Sequence, residues 1–398
     1  MTRIGIFEAK FLTHGLGDRC KMFNTDRDEI TVFTSSEIAD QVKKELSKEE
    51  YEWVIKKEDQ NGYSFLREVE KICNERIDLL FVNSVTRTAP FLFFNPKCKK
   101  ILRIHNSNFW FKWTQSYRKY YDYAVSEGNP QYSGILEYLD PPVNAAIGPL
   151  ARKIILRRYD GIVVEYQPIK KHIIDEFHYR KNIYVMPNLL YEGATTSINH
   201  DKIRFVVPGV ISNTRRDYFT IFDISQELLP KYNERIELYL LGAARGDYGC
   251  EVLNKFRALK EAGHPVFYHE GNEVISEIEF RSILEGSDVI ISPLHLDFYA
   301  KGVHERYSQT KGSGSVSDAI RHAKPLFVPA GFEVSEEMKT SVLTYANADD
   351  LKQKLEALIT KPDKLEWLQK AALVNSEKFS LDKMRAYYSL MVDELMNN

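Results

Sequence analysis

The sequence predicts an α/β protein made of two doubly wound parallel-sheet domains. Three observations carry this. Short β-branched or aromatic runs recur along the 398 residues, separated by longer amphipathic stretches, the pattern of βαβ units with right-handed crossovers. Most of the runs are continuously apolar, as in parallel strands covered on both faces. A polar stretch, "YEGATTSINHDK", separates two such series, with a hinge near residues 190–202.

In the first series "RIGIFEA" opens as a strand, and "ITVFTS", "IDLLFVNS" and "KKILRIHNS" repeat the theme with charged, helix-like segments between the first few. "YDGIVVEY" and "NIYVMPN" close it. Residues 110–148 break the rhythm, because they are first aromatic-rich and then turn-rich. They read either as an insertion packing its own rings or as a lid over a bound ligand. The next segment, "LARKIILRRYD", sets Arg152, Lys153, Arg157 and Arg158 beside an apolar stripe. It is either the solvated face of a core helix or a helix resting on an anionic membrane surface.

In the second series the strands are "IRFVVPG", "IELYLLG", "PVFYHEG", "DVIISPL", "KPLFVPA" and "SVLTYAN". The intervening helices include "FTIFDISQELLPKY", "GCEVLNKFRALKEAG", "EIEFRSILEGS" and "SVSDAIRHA". The final stretch has apolar residues at three- and four-residue spacing and reads as helical. The expected domains are 1–192 and 200–374, with 375–398 a helix returning to the first domain.

Composition narrows the function classes. The net charge of −2 gives no global basic character, so a nucleic-acid partner is not expected. The four cysteines, Cys20, Cys73, Cys98 and Cys250, are scattered without a CxxC pair. That argues for reduced thiols and against a zinc site or disulfide framework. The N-terminal "MTRIGIFEAKF" is too charged for a signal peptide. No apolar run approaches the ~18–20 residues of a membrane span. A cytoplasmic protein is expected, with at most peripheral membrane contact through the basic helix.

Ligands of open α/β sheets sit beyond the carboxyl ends of the strands. In the second half those loops hold Gly209, Gly242, Gly246, Gly271, Gly312 and Gly314, where a missing side chain lets a ligand approach the backbone. Arg215 and Arg216 precede a helix start, and forked guanidiniums match phosphate oxygens. Lys311 and the backbone N–H groups of Ser313, Gly314 and Ser315 form a second phosphate-binding candidate, aided by the dipole of the following helix. Asp318 lies in the first turns of that helix, placed either for a ribose hydroxyl or to favour the helix N-terminus. The loop lacks GxxxxGK[ST] and is not a P-loop. In the first half His105 follows a strand and precedes Asn106, Ser107 and Asn108. It reads as an acid/base group, a hydroxyl binder, or a structural histidine. "HGLGDR" reads as a flexible loop of Gly15 to Gly17 facing either an acceptor or donor phosphates. No hydrolase, zincin or kinase motif set is present.

In order and spacing, these segments resemble the two-domain GT-B glycosyltransferases, specifically the glycogen-synthase-like, glycosyltransferase family 4 group. "YDGIVVEYQPIKKHI" with "NIYVMPNLL" resembles the last strand–helix unit of that family's first domain. "IRFVVPGVISNTRRDY" is similar to its donor loop, with Arg215 at the phosphate-binding lysine. "LYLLGAARGDYG", "VFYHEGN", "FRSILEGSDVIISPL" and "SGSVSDAIRHAKPLFVP" resemble its later motifs. The resemblance covers about residues 1 to 395 and fits 110–148 poorly.

It implies two Rossmann-like domains facing across a cleft and a hexosyltransferase-type reaction that needs no metal or other cofactor. The donor would be a nucleotide-diphosphate sugar, the acceptor a glycan, lipid-linked or protein acceptor in surface glycan synthesis. Its donor contacts would be Gly17, Gly209, Arg215, Arg216, Gly271, Asn272, Lys311, Gly312, Ser313, Gly314, Ser315 and Asp318. Its acceptor contacts would be His14, Asn83, Asn106, Asn108 and Trp110. His105, Thr310 and Lys311 occupy the catalytic positions. The family pattern has two glutamates eight residues apart, and here the first position holds Thr310 and the second Asp318. Thr310 removes a charge. It leaves open a non-catalytic glycan-binding or partner protein and, as a further alternative, a nucleotide-sugar epimerase of the same fold.

Overall fold

The structure is a computed structural model describing residues 1–9, 13–44, 46, 51–85, 88–113, 116, 118–119, 135–193, 201–271, 273 and 275–397, with backbone alone for 13–14 and 135–146. Asn272, the side chain of His14, and 120–134 of the aromatic insertion lie outside these.

The first half builds a seven-stranded sheet in the order β3-β2-β1-β4-β5-β6-β7. Its strands are β1 (Thr2–Glu8), β2 (Asp28–Ser35), β3 (Tyr51–Lys56), β4 (Leu79–Val82), β5 (Lys99–Arg103), β6 (Gly161–Val164) and β7 (Asn182–Val185), all pairing in parallel. Strands β4 and β6 are buried at every position, which is why they read as unbroken apolar runs. The helices are α1 (Thr13–Phe23), α2 (Ser36–Val42), α3 (Gly62–Arg76), α4 (Thr88–Phe91), α5 (Ser107–Phe111), α6 (Ile135–Arg158) and α7 (Gln167–Phe177).

The second half repeats the plan in six strands, ordered β10-β9-β8-β11-β14-β15. They are β8 (Ile203–Pro208), β9 (Ile236–Leu241), β10 (Val266–Tyr268), β11 (Val289–Ile291), β14 (Leu326–Pro329) and β15 (Val342–Tyr345). Helices α8 (Tyr218–Tyr232), α9 (Gly246–Glu261), α10 (Glu277–Glu285), α11 (Gly314–His322), α12 (Ala348–Thr360) and α13 (Pro362–Ser376) cover it. Each sheet changes direction beside its first strand, at β1/β4 and at β8/β11, so each has a crevice at that point.

Two features have no counterpart in the sequence reading. β3 is a half-exposed edge strand inside a charged stretch, so no apolar run marks it. Between β11 and α11, where the sequence reads as a single long loop, β12 (Asp297–Ala300) and β13 (Val303–Arg306) form an antiparallel hairpin. Its turn residues Lys301 and Gly302 both have positive φ, 49° and 76°, the geometry that matches strand twist in a two-residue hairpin.

The last helix, α14 (Leu381–Asn397), lies on α1 of the first half. Tyr388, Met391, Val392 and Leu395 are buried there, each contributing on the order of 1.5–3 kcal/mol. The Tyr388 ring sits 5.3 Å from Phe23, and Arg27 reaches Asp393 at 2.7 Å.

Candidate functional site

At the carboxyl end of β8, Gly209 has φ of +107°. A Cβ there would lie 2.4 Å from Nη2 of Arg216. The glycine therefore does two jobs: it adopts a left-handed backbone and makes room for a guanidinium. Gly242, after β9, makes room for the carbonyl of Gly209, since a Cβ would fall 2.0 Å from that oxygen. The buried Arg216 is held by its backbone against Leu294, and the neighbouring Asp217 N donates to Pro293 O at 2.8 Å. Nε of Arg216 has no hydrogen-bond partner among the described residues. Arg215 is half-buried, and its carbonyl accepts from His295 N at 3.0 Å.

The N-terminus of α11 is tied to the strand end that precedes Leu294, the backbone partner of Arg216. Ser292, at the end of β11, donates through its hydroxyl to Ser315 Oγ at 2.9 Å, tying the helix start to the same crevice. α8, α10 and α12 are capped by Asp217, Ser276 and Asn347, whereas the N-cap residue of α11, Ser313, makes no cap bond. Its hydroxyl is buried and has no partner among the described residues. A Cβ on Gly314 would meet nothing within 4 Å, so there is space beside the first turn of the helix. Uncapped N–H groups at the positive end of a helix dipole favour an anion, and the buried guanidinium of Arg216 has an Nε without a partner among the described residues.

The first sheet presents a continuous polar network over its own strand ends. Glu8 accepts from Asn83 Nδ2 at 2.9 Å and from Ser84 Oγ at 2.6 Å. Asn83 Oδ1 accepts from Arg103 Nη1 at 3.4 Å, and its carbonyl from His105 Nε2 at 3.0 Å. A carbonyl only accepts, so Nε2 carries the ring proton. Nδ1 faces Glu165 Oε1 at 3.6 Å. Nδ1 pairs with that carboxylate only when the ring is protonated, a state that burial disfavours and Glu165 favours. Arg103 Nη2 donates to Glu165 Oε1 at 3.1 Å and to Asn188 Oδ1 at 2.8 Å. Burial alone would raise the Glu165 pKa, but His105, Arg103 and Lys311 together hold it down at about 2.

The two networks meet where the loop 310–315 touches the first half. A Cβ on the buried Gly312 would lie 1.4 Å from Glu165 Oε2, so the carboxylate rests against the bare backbone. Tyr166 OH donates to Ser313 O at 3.1 Å, Ser107 N donates to Thr310 O at 2.8 Å, and Asn106 forms an antiparallel bridge with Lys311. Deeper in the junction, Arg321 on α11 reaches Asp18 on α1 at 2.5 Å.

The hairpin adds Glu305, which is fully buried and accepts from the N–H groups of Phe109 at 2.7 Å and Asn108 at 3.3 Å. Burial pushes its pKa up to about 7, against the opposing effects of Thr310, the two N–H groups and Lys311. The folded chain holds this proton between about pH 4.5 and 7 while the unfolded chain has released it. Stability is therefore expected to fall as pH rises through that window. Urea midpoints at about pH 5.5 and 7.5 check this, and Glu305→Gln is expected to flatten the difference. An unchanged pH slope in the variant would remove Glu305 from the account.

Of the other residues read from the sequence, Thr310 is buried, and its hydroxyl is engaged with Arg306 N at 2.7 Å and Arg306 O at 3.1 Å. Asp318 is half-buried in the second turn of α11. Gly271 makes room for His269, whose Nε2 would be 2.9 Å from a Cβ. Asn108 is buried between His304 O and His172 Nε2, each 2.9 Å away, and Trp110 is buried in the core. The expected Gly15–Gly17 loop is a correction: both glycines lie in α1, with Gly15 close to Asn188. On the basic helix Lys153 and Arg157 are exposed, and Arg152 and Arg158 are not. Arg152 is buried over the Phe109 ring at 4.2 Å, Lys153 lies over Trp113 at 4.4 Å, and Arg158 donates to Leu92 O at 2.5 Å. Among the described residues no helix is long and apolar enough to cross a membrane.

Glu8, Arg103, Glu165, Tyr166 and Glu305 do not stand out in the sequence reading. The first four share one signal, a charged or polar residue closing an apolar strand, as in "IFE", "ILR" and "VVEY". Glu305 carries no such mark, because its burial depends on the hairpin docking on α5.

No family model and no curated protein matches the chain by sequence. Solved structures match its fold along its length. A glycosyltransferase from Rickettsia africae superposes with a TM-score of 0.62 at 13% identity, covering 100% of this chain and 99% of that one. HepE of Anabaena, in complex with UDP, gives 0.62 at 12% identity over 99% and 100% of the two chains. A point mutant of S. aureus TarM, in complex with fondaparinux, α-GlcNAc-glycerol and UDP, gives 0.63 at 11% identity over 100% of both. With its two parallel sheets, the chain has the α/β GT-B fold of two Rossmann-like domains.

Proposed function

We propose that this chain is a glycosyltransferase that moves a sugar from a nucleotide-diphosphate sugar to a glycan or glycoconjugate acceptor. The observation that carries it is the anion site of Arg216 and the uncapped start of α11, at the crevice of the second sheet. Two fold neighbours, HepE and TarM, were solved with UDP, which supports a nucleoside diphosphate in this crevice.

The reaction is displacement at the anomeric carbon. The bond from that carbon to the diphosphate oxygen breaks, its electron pair leaves with the diphosphate, and the acceptor oxygen forms the new bond. Negative charge grows on the leaving phosphate, so fixed cations and N–H dipoles stabilise the transition state more than the ground state. Arg216, Lys311 and the N–H groups of Gly314 and Ser315 are the groups in reach. The strand-end network of the first sheet faces the acceptor side.

Arg216→Ala is expected to weaken binding of the cognate nucleoside diphosphate about 10- to 100-fold, the loss of hydrogen bonds to a charged group. Calorimetry with UDP, GDP, dTDP, CDP and ADP tests it. Binding of none of them by the wild-type protein would overturn the reading. Binding without turnover of any nucleotide sugar would favour the non-catalytic alternative, in keeping with the engaged hydroxyl of Thr310.

A further inference from the structure

Thr310 stands where the resemblance calls for a carboxylate, and its hydroxyl is turned into its own loop. A carboxylate nevertheless lies against that loop, contributed by the other domain. We propose that Glu165, from the first half, binds the hydroxyls of the transferred sugar. This inference rests on the proposed glycosyl transfer.

Four observations support it. First, the charge is fixed: Arg103, His105 and Lys311 surround the carboxylate and keep it ionised. Second, its two oxygens differ. Oε1 takes the bond from Arg103 at 3.1 Å and faces His105. Oε2 rests on Gly312 and accepts no hydrogen bond from the described residues. An ionised oxygen with open acceptor capacity suits a sugar hydroxyl.

Third, the position fits. Gly312 touches Oε2, and Gly314 begins α11. Two residues span at most about 7 Å, so a sugar on the terminal phosphate of a donor seated at α11 comes within reach of Glu165. Fourth, Glu165 lines a cavity of about 240 Å³ together with Tyr166, Pro187, Ile320, Phe379 and Tyr387. That is below the roughly 300 Å³ lower end of drug-sized sites, which suits a single ring. Glu337 and Lys378 also line it, so its aromatic and aliphatic walls suit the apolar face of a sugar and its charged groups the hydroxyl edge. The other buried carboxylate at the junction, Glu305, is fully enclosed and already accepts from two N–H groups.

The test uses the full chain and compares each nucleoside diphosphate with its glucose conjugate. Glu165→Gln is expected to keep diphosphate affinity within about twofold while turnover of the accepted nucleotide sugar falls about 100-fold. The affinity gained by adding the sugar to the diphosphate is expected to vanish. Glu165→Asp, which keeps the charge beside Arg103, is expected to retain diphosphate affinity with an intermediate turnover, and serves if the Gln variant does not fold. Wild-type turnover and sugar increment in either variant would overturn the inference. So would a parallel loss of diphosphate affinity and thermal stability matched by Arg103→Lys, since that marks a purely structural carboxylate. Failure of the wild-type chain to bind any bare diphosphate is a separate result that removes the proposed function itself.

Discussion

Arg321→Ala is expected to destabilise the chain by about 3–5 kcal/mol, the cost of leaving a buried charge without its partner. Asp18 is fully buried and Arg321 is 4% exposed, and they meet at 2.5 Å between α1 and α11. Removing the guanidinium strands a carboxylate whose remaining support includes the N–H of Leu190, at 2.9 Å. Water then has to enter the junction to solvate it. The denaturation midpoint should fall, and protease should cut faster near residues 190–202. Asp18→Ala with Arg321→Ala should recover part of the loss, because neither charge is then left alone. A single variant within about 1 kcal/mol of wild type would contradict the burial of this pair.

Gly312→Ala is expected to have the next largest effect. The added Cβ would lie 1.4 Å from Glu165 Oε2 and 2.5 Å from its carboxyl carbon. Arg103 pins that carboxylate from the other side at 3.1 Å, so it does not swing away freely. Either the loop 310–315 retreats or the Arg103 pair breaks. Overpacking of this kind costs about 1–3 kcal/mol, and the loop is also the one that leads into the proposed anion site. Thermal stability and nucleotide-sugar turnover should both drop. Glu165→Ala removes the obstacle, so the double variant should be less destabilised than the sum of the two single ones. Strict additivity in that cycle would show that the contact does not hold the domains together.

The proposed anion site is partly legible in the sequence and partly misread there. Arg215 and Arg216 are indistinguishable as letters, and only packing shows that Arg216 is the one buried over Gly209. Glycines at strand ends read as places for a ligand. Four of them instead admit other parts of the chain: Gly209 a guanidinium, Gly242 a carbonyl, Gly271 an imidazole and Gly312 a carboxylate. Gly314, at the start of α11, opens onto space. A glycine records that something comes close to the backbone, and the sequence does not say what.

His105 illustrates the same limit. Its place after β5 identifies it as a polar group at a strand end, but its two nitrogens are met by Asn83, which follows β4, and Glu165, which follows β6. Those partners lie 22 and 60 residues away in the chain (105 − 83 and 165 − 105). No local pattern records such a pairing.

The sequence by itself determined the two parallel sheets and the loops at the carboxyl ends of their strands. Those follow from local periodicity, because a strand covered on both faces must be apolar and a covering helix must be amphipathic. Tertiary structure alone decided which charges meet across the domain junction: Glu165 with Gly312, Asp18 with Arg321, and Glu305 with α5. The physical reason is that a buried charge is tolerated only with a partner of the right geometry. That partner is supplied by the docking of one domain on the other and not by neighbours in the chain.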